Sequence, residues 1–158
     1  MEYLDVVNEK NEVIDKKHRK VVHEKSLPHR TVMFFVRSHD YKILVTKRSE
    51  NKEFFPGYWS IVLGGHVASG DTYEETVSKE MKEEINAVGE YRKLGEFVKD
   101  IEEETEYVNL YEVHVNKDEI KLLDKEFEKG EFWSKQKIME ELDKRNFLPE
   151  TYKVIEFI

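Results

Sequence analysis

The chain has 158 residues, which suits one compact domain with its own core and leaves little room for two. Hydrophobic residues make up 39% of it, too many for a disordered chain, and nine Phe and eight Tyr supply large surfaces to bury. The formal net charge of -8 disfavours a nucleic-acid polymer as partner, and no basic stretch with interleaved aromatics offsets it. The absence of cysteine excludes disulfides, thiolate metal sites and a cysteine nucleophile, and fits a cytoplasmic protein. The stretch MEYLDVVNEK is charged from residue 2 and no apolar run approaches membrane-spanning length, so no signal peptide and no membrane anchor are expected. The expected state is a monomer or homodimer acting on a small molecule.

Residues 3–8 and 12–16 read as short strands around the polar turn Asn8-Glu9-Lys10-Asn11. The polar segment 17–28 reads as a short helix or loop. RTVMFFVR at 30–37 is a continuous apolar run, the pattern of a strand buried on both faces. The turn Ser38-His39-Asp40 leads into KILVTKR at 42–48, its hairpin partner. A loop with Pro56-Gly57 precedes a further strand, WSIVL at 59–63. Residues 72–85 have helical periodicity, with Val77, Met81 and Ile85 as an apolar stripe. Asp71-Thr72-Tyr73-Glu74 reads as a capping box with Asp71 as the cap, and Asn86, which tolerates the left-handed conformation, as the stop. Strands are expected at 91–100, 106–115 and 128–133. A helix is expected at 135–145, through Ile138 and Leu142, and a terminal helix from Pro149. This order fits a mixed sheet with helices on either side.

The chemistry concentrates in the segment Gly64-Gly65-His66-Val67-Ala68-Ser69-Gly70-Asp71 and the helix that follows it. Glu80, Glu83 and Glu84 are spaced three and four apart, so a helix gathers their carboxylates on neighbouring turns. Such a cluster repels itself, and a hard divalent cation with oxygen ligands relieves that repulsion. The glycine-rich segment ahead of it frees backbone carbonyls and lets phosphate or metal approach closely.

These residues resemble the Nudix signature, G-x5-E-x7-R-E-U-x-E-E-x-G-U, in unbroken register. Gly65, Glu80, Glu83 and Glu84 match outright and Met81 is an acceptable bulky residue. Asp71 stands for Glu, Lys79 for Arg, Asn86 for Gly and Ala87 for an aliphatic residue. Lys79 keeps the charge but loses the planar fork that would brace a glutamate bidentately. The resemblance implies an α/β/α sandwich with a mixed β-sheet, spanning residues 1–158 as a single domain. It further implies magnesium or manganese held by Glu83 and Glu84, with Glu80 as a further ligand or as the base that orients water. The Gly64 carbonyl would complete the shell, and Lys79 would brace the carboxylates. Glu126, in the polar segment before the last expected strand, is the second candidate base.

Beyond the signature, Lys47-Arg48-x3-Lys52-x3-Pro56-Gly57-x-Trp59 and Gly65-His66 resemble the type I isopentenyl-diphosphate isomerase branch of that superfamily. The resemblance makes Arg48 and Lys52 the diphosphate binders, with Gly65 beside the substrate. It also implies a second divalent, transition-metal site built from His23, His29, His66, Glu104 and Glu106. The isomerase's catalytic cysteine falls at Gly64, and Glu80 stands where that enzyme has a basic residue. Both departures favour hydrolysis of a diphosphate linkage in a nucleoside-diphosphate-type substrate. The alternatives are an isomerase-like enzyme without the cysteine and a non-catalytic nucleotide-binding module.

Overall fold

The computed structural model describes residues 2–101 and 103–158. Its elements run in the order β1 (Tyr3–Val7), β2 (Val13–His18), α1 (Arg19–Glu24), β3 (His29–Ser38), β4 (Ile43–Arg48), β5 (Trp59–Ser60) and β6 (Leu63–His66). There follow α2 (Tyr73–Ile85), β7 (Glu90–Ile101), β8 (Glu104–Val115), β9 (Phe127–Trp133), α3 (Lys135–Glu141), α4 (Thr151–Val154) and a 3-10 turn at Ile155–Phe157. β1 and β2 form an antiparallel ribbon, and the other seven strands form one sheet along the path β5-β4-β3-β8-β7, with β6 on β3 and β9 on β4. None of the described helices is long and apolar enough to cross a membrane.

By packing, the chain divides into two compact units. One comprises Met1–Phe34, Gly64–Glu80 and Lys93–Tyr111, the other Phe35–Leu63, Met81–Arg92 and Glu112–Ile158. In the first unit, Leu4, Val6 and Val22 bury their side chains together, with Leu27 packed against them. Asn8 closes the β1–β2 turn by accepting the N–H groups of Lys10 and Glu12. Arg30 donates to Asn11, Asn11 donates to the Tyr73 hydroxyl, and that hydroxyl donates to the Tyr107 carbonyl, so the turn is fastened to the start of α2. β2 is exposed throughout except at half-buried His18.

In the second unit, β4 and β9 pair from Ile43↔Trp133 to Arg48↔Phe127. Buried Glu112 accepts from Arg37 and Arg92 at 2.7 and 2.8 Å and meets His114 at 2.9 Å. Neutralising one buried carboxylate with two guanidinium groups avoids an unpaired charge in the interior.

The structure departs from the sequence expectation in four places. The strand expected at 59–63 is two strands, because the Ser60 hydroxyl both donates to the Val62 carbonyl and accepts from the Val62 N–H, replacing ladder bonds locally. Gly64, Gly65 and His66, read only as part of the glycine-rich segment ahead of the helix, belong to β6. α2 is capped by Thr72 rather than Asp71: the Thr72 hydroxyl accepts the Glu75 N–H at 3.1 Å and pairs with the Glu75 carboxylate. α3 ends at Glu141 and α4 begins at Thr151, so both helices are shorter than the periodicity suggests. At the end of α2, Asn86 adopts φ 52°, as expected of the stop.

Candidate functional site

α2 buries Val77, Met81 and Ile85 as one stripe, which fixes its rotation about its own axis. Glu80 and Glu84 are half-buried and Glu83 is exposed. In the first unit the Glu80 carboxyl lies directly over Gly65: a Cβ built on Gly65 would stand 2.3 Å from Glu80 Oε1. Only glycine leaves that space to the carboxylate. Gly64 is constrained differently, since a Cβ there would meet the Val32 carbonyl oxygen at 2.3 Å. At the position where the isomerase carries cysteine, a side chain would force β6 away from the β3 backbone.

Lys79 is exposed and lines a shallow cleft with Tyr3, Lys16, Ala68 and Ser69. Among the described residues it makes no salt bridge, so its bracing of the glutamates is not seen. In the second unit, the Lys52 ammonium and the Glu126 carboxylate pair at 2.8 Å, bringing together a candidate diphosphate binder and a candidate base. The Arg48 guanidinium donates from Nε and Nη2 to the Phe54 carbonyl at 3.2 and 3.1 Å, which fixes it to the loop before β5. The Glu84 and Ile85 carbonyls accept N–H groups from Leu123 and Lys121, so the segment ahead of Glu126 is tied to the end of α2.

The first unit also assembles the histidines. The rings of His23, His29 and His66 lie against one another, with centroids 5.6, 5.1 and 5.2 Å apart. Ligand atoms of His29, His66 and Glu106 lie within 4.8 Å of one another. His29 is buried, its Nδ1 bonds the Leu27 carbonyl at 2.8 Å, and its Nε2 is buried with no hydrogen-bond partner. An orphaned buried nitrogen facing a carboxylate and a second imidazole is what a metal ligand looks like without its ion. Glu104 sits 2.5 Å from His23 Nδ1.

The electrostatics hold His66 and Glu106 in the forms a ligand takes and push His29 the other way. Burial drives the pKa of His66 down to about 4, which keeps its ring neutral and its lone pair available. Burial alone would raise Glu106, but the neighbouring His29 ring, the hydrogen bond from Thr31 and the nearby Lys99 hold it down at about 2, as a carboxylate. His29 is raised, because its contacts with Glu106 and the Leu27 carbonyl outweigh its burial. Three residues here were not singled out from sequence: Thr31, which donates to Glu106; Lys99, 3.5 Å from Glu106 Oε1; and Arg19, whose charge disfavours protonated His66. Lys99 could have been found by pairing 91–100 against 106–115 as a hairpin, whereas Arg19 gives no sequence signal.

Comparison with known proteins reaches the same family by other routes. The NUDIX domain model matches residues 27–153. A Yersinia pestis protein named an uncharacterized Nudix hydrolase is 37% identical over 89 residues, covering 56% of this chain and 49% of its own. The Escherichia coli K12 Nudix hydrolase YfcD is 36% identical over 88 residues, with the same coverage. The chain thus spans about half the length of these curated relatives. Among solved structures, the fold matches DR0079 from Deinococcus radiodurans with TM-score 0.81 and 24% identity, over 98% of both chains. It matches the Nudix domain of Shewanella oneidensis NrtR, complexed with ADP ribose, with TM-score 0.64 and 17% identity, over 80% and 83% of the two chains. The fold is the α/β sandwich of these proteins, and the chain belongs to the Nudix family.

Proposed function

We propose that the protein is a metal-dependent hydrolase, working as a single domain, that cleaves a diphosphate linkage in a small nucleoside-diphosphate-type molecule. The observation that carries this reading is the Glu80 carboxyl seated over Gly65 on the helix that also carries Glu83 and Glu84. The donor set fits magnesium or manganese: carboxylates on consecutive turns, with a glycine backbone beside them. Glu83 and Glu84 would hold the ion, with the Gly64 carbonyl as a further donor and Glu80 as a further ligand or as the base that orients water. The bound cation supplies charge neutralisation of the diphosphate and of the transition state. Glu80, or as the second candidate Glu126, would accept the proton of the attacking water as its oxygen bonds to phosphorus and the bridging P–O bond breaks. Arg48 and Lys52 bind the diphosphate oxygens. Lys79 contributes positive charge at the cleft it lines. The ADP ribose held by the NrtR domain supports a nucleoside diphosphate as the substrate class.

The test is a panel of nucleoside diphosphates, dinucleotides and nucleotide sugars, with released phosphate as readout and magnesium added or withheld. Glu84→Gln is expected to lose at least about a hundredfold in rate, the scale for removing a catalytic electrostatic group. Turnover independent of both metal and Glu84 overturns the reading.

The histidine cluster supports a second cation, of transition-metal type, and with it an isomerase-like ancestry. His29 Nε2, His66 and Glu106 are the groups that fit it. Isomerisation itself has no cysteine to perform it, so isopentenyl diphosphate incubated with the protein should show no dimethylallyl isomer by NMR.

A further inference from the structure

In the first unit a cavity of about 320 Å³ lies between the β1–β2 turn, residues 96–98 of β7 and residues 107–109 of β8. We propose that it binds the ring of a nucleoside: an uncharged, planar heterocycle with a hydrogen-bond donor beside an acceptor, read by Asn109 and packed against Tyr107 and Val98.

Asn109 lines the cavity with only 6% of its surface exposed. Its amino group reaches the Tyr111 hydroxyl at 3.5 Å, which is long for a hydrogen bond, and among the described residues its side-chain oxygen accepts none. A primary amide carries two donor hydrogens and an acceptor, so one N–H and the oxygen stand open on the same group. Leaving a buried amide in that state costs stability unless a partner completes it. A nucleobase edge, with a donor next to an acceptor, meets both atoms at once. Side chains alternate along β8, so Asn109 points to the face opposite Glu106, and the cavity is separate from the histidine cluster.

The turn side of the cavity is fixed by its own hydrogen bonds. Asn11 accepts from Arg30 Nε at 2.9 Å and donates to the Tyr73 hydroxyl at 3.1 Å, and that hydroxyl holds the Tyr107 carbonyl at 2.8 Å. The volume falls in the range of small-molecule sites, about 300–1,000 Å³. Half-buried Tyr107 and Val98, which is 46% exposed, present apolar surface that a ring would cover. The walls hold no surplus of positive charge for a phosphate: Glu9 and Glu96 stand against Lys10 alone, and Glu96 is met by Lys93 from outside at 3.0 Å. An adjoining cavity of about 590 Å³ shares Glu9, Lys10 and Tyr107 as walls and gives the sugar a place to extend.

Amide NMR of ¹⁵N-labelled, metal-free protein titrated with the four common ribonucleosides tests this. At least one nucleoside should give saturable shifts at residues 96–98 and 107–109, and its 5′-monophosphate should bind more weakly. Asn109→Leu should weaken binding by at least about tenfold, the loss of two hydrogen bonds. Val98→Trp, a change at an exposed position, should block the cavity with the thermal midpoint unchanged, and it keeps the test decisive if Asn109→Leu does not fold. Three results would overturn the inference: no shift at these residues with any nucleoside, a monophosphate that binds as tightly as its nucleoside, or shifts that persist at full size in Val98→Trp. Shifts confined to Gly65, His66 and α2 would overturn it as well, by placing the nucleoside at the diphosphate site, and would leave the hydrolase reading intact.

Discussion

The carboxyl group of Glu80 occupies the volume that a side chain on Gly65 would need, with only 2.3 Å between Oε1 and a Cβ built there. The contact is with the far end of a flexible side chain, so Gly65→Ala should fold normally and displace the carboxylate. We expect phosphate release to fall by about a hundredfold, while the thermal midpoint moves by no more than a few degrees. A variant that melts early as well as losing activity would show that Gly65 serves the fold and not the carboxylate.

Gly64 should behave in the opposite way. The atom in its path is the Val32 backbone oxygen in β3, which cannot swing aside. Gly64→Cys should therefore cost about 1–3 kcal/mol of stability, the range for overpacking, read as a lower denaturant midpoint. It should not confer isomerisation of isopentenyl diphosphate. A variant as stable as the parent would contradict the close approach of β6 to β3.

Thr72 caps α2 through the Glu75 N–H. Thr72→Ala should cost about 1 kcal/mol. Asp71→Ala should cost less than half of that by the same denaturant measurement. The reverse order would restore Asp71 as the cap.

Glu112 should govern part of the acid sensitivity. Its burial works to raise its pKa, but the hydrogen bond from Arg92 and the charge and hydrogen bond of Arg37 prevail and hold it below the ordinary carboxylate value of 4.5. A depressed carboxylate contributes stability above its unfolded pKa and loses it as pH falls through the folded value. Glu112→Gln should therefore destabilise by about 3 kcal/mol at pH 7, where Arg37 is left uncompensated. The gap between variant and parent should narrow steadily below about pH 4.5. A pH-independent difference in unfolding free energy would mean that packing, and not charge, sets the loss.

Long-range periodicity made α2 and its three glutamates legible in the sequence, because a buried stripe of Val77, Met81 and Ile85 leaves little choice of rotation. The apolar run at β3 was legible for the same reason. The division of 59–66 was not, since it depends on one hydroxyl, that of Ser60, competing with the ladder, and on a glycine strand whose neighbour, Val32 in β3, lies 32 residues before Gly64. The histidine cluster drew attention only through a resemblance. His23, His29, His66 and Glu106 are scattered over 84 residues, counting both ends, and no local pattern joins them. Their convergence is a property of the sheet. Lys99 escaped notice because its meaning comes from the residue across the hairpin.

α2 is clamped at both ends: by Thr72 and the Tyr73 hydroxyl at its start, and by left-handed Asn86 and the N–H groups of Lys121 and Leu123 at its finish. A rod held in this way cannot slide or spin to absorb an extra residue. One amino acid inserted between Glu80 and Glu83 would swing the later carboxylates by about 100° around the axis. By contrast, Asp71, Lys79, Asn86 and Ala87 each differ from the family signature while its length and register are kept. Tolerance at this helix should thus be lopsided, generous to exchanges of letters and closed to changes of length. A scan of single-residue insertions from 74 to 84 should read as uniformly inactive, even where substitution at the same positions is silent.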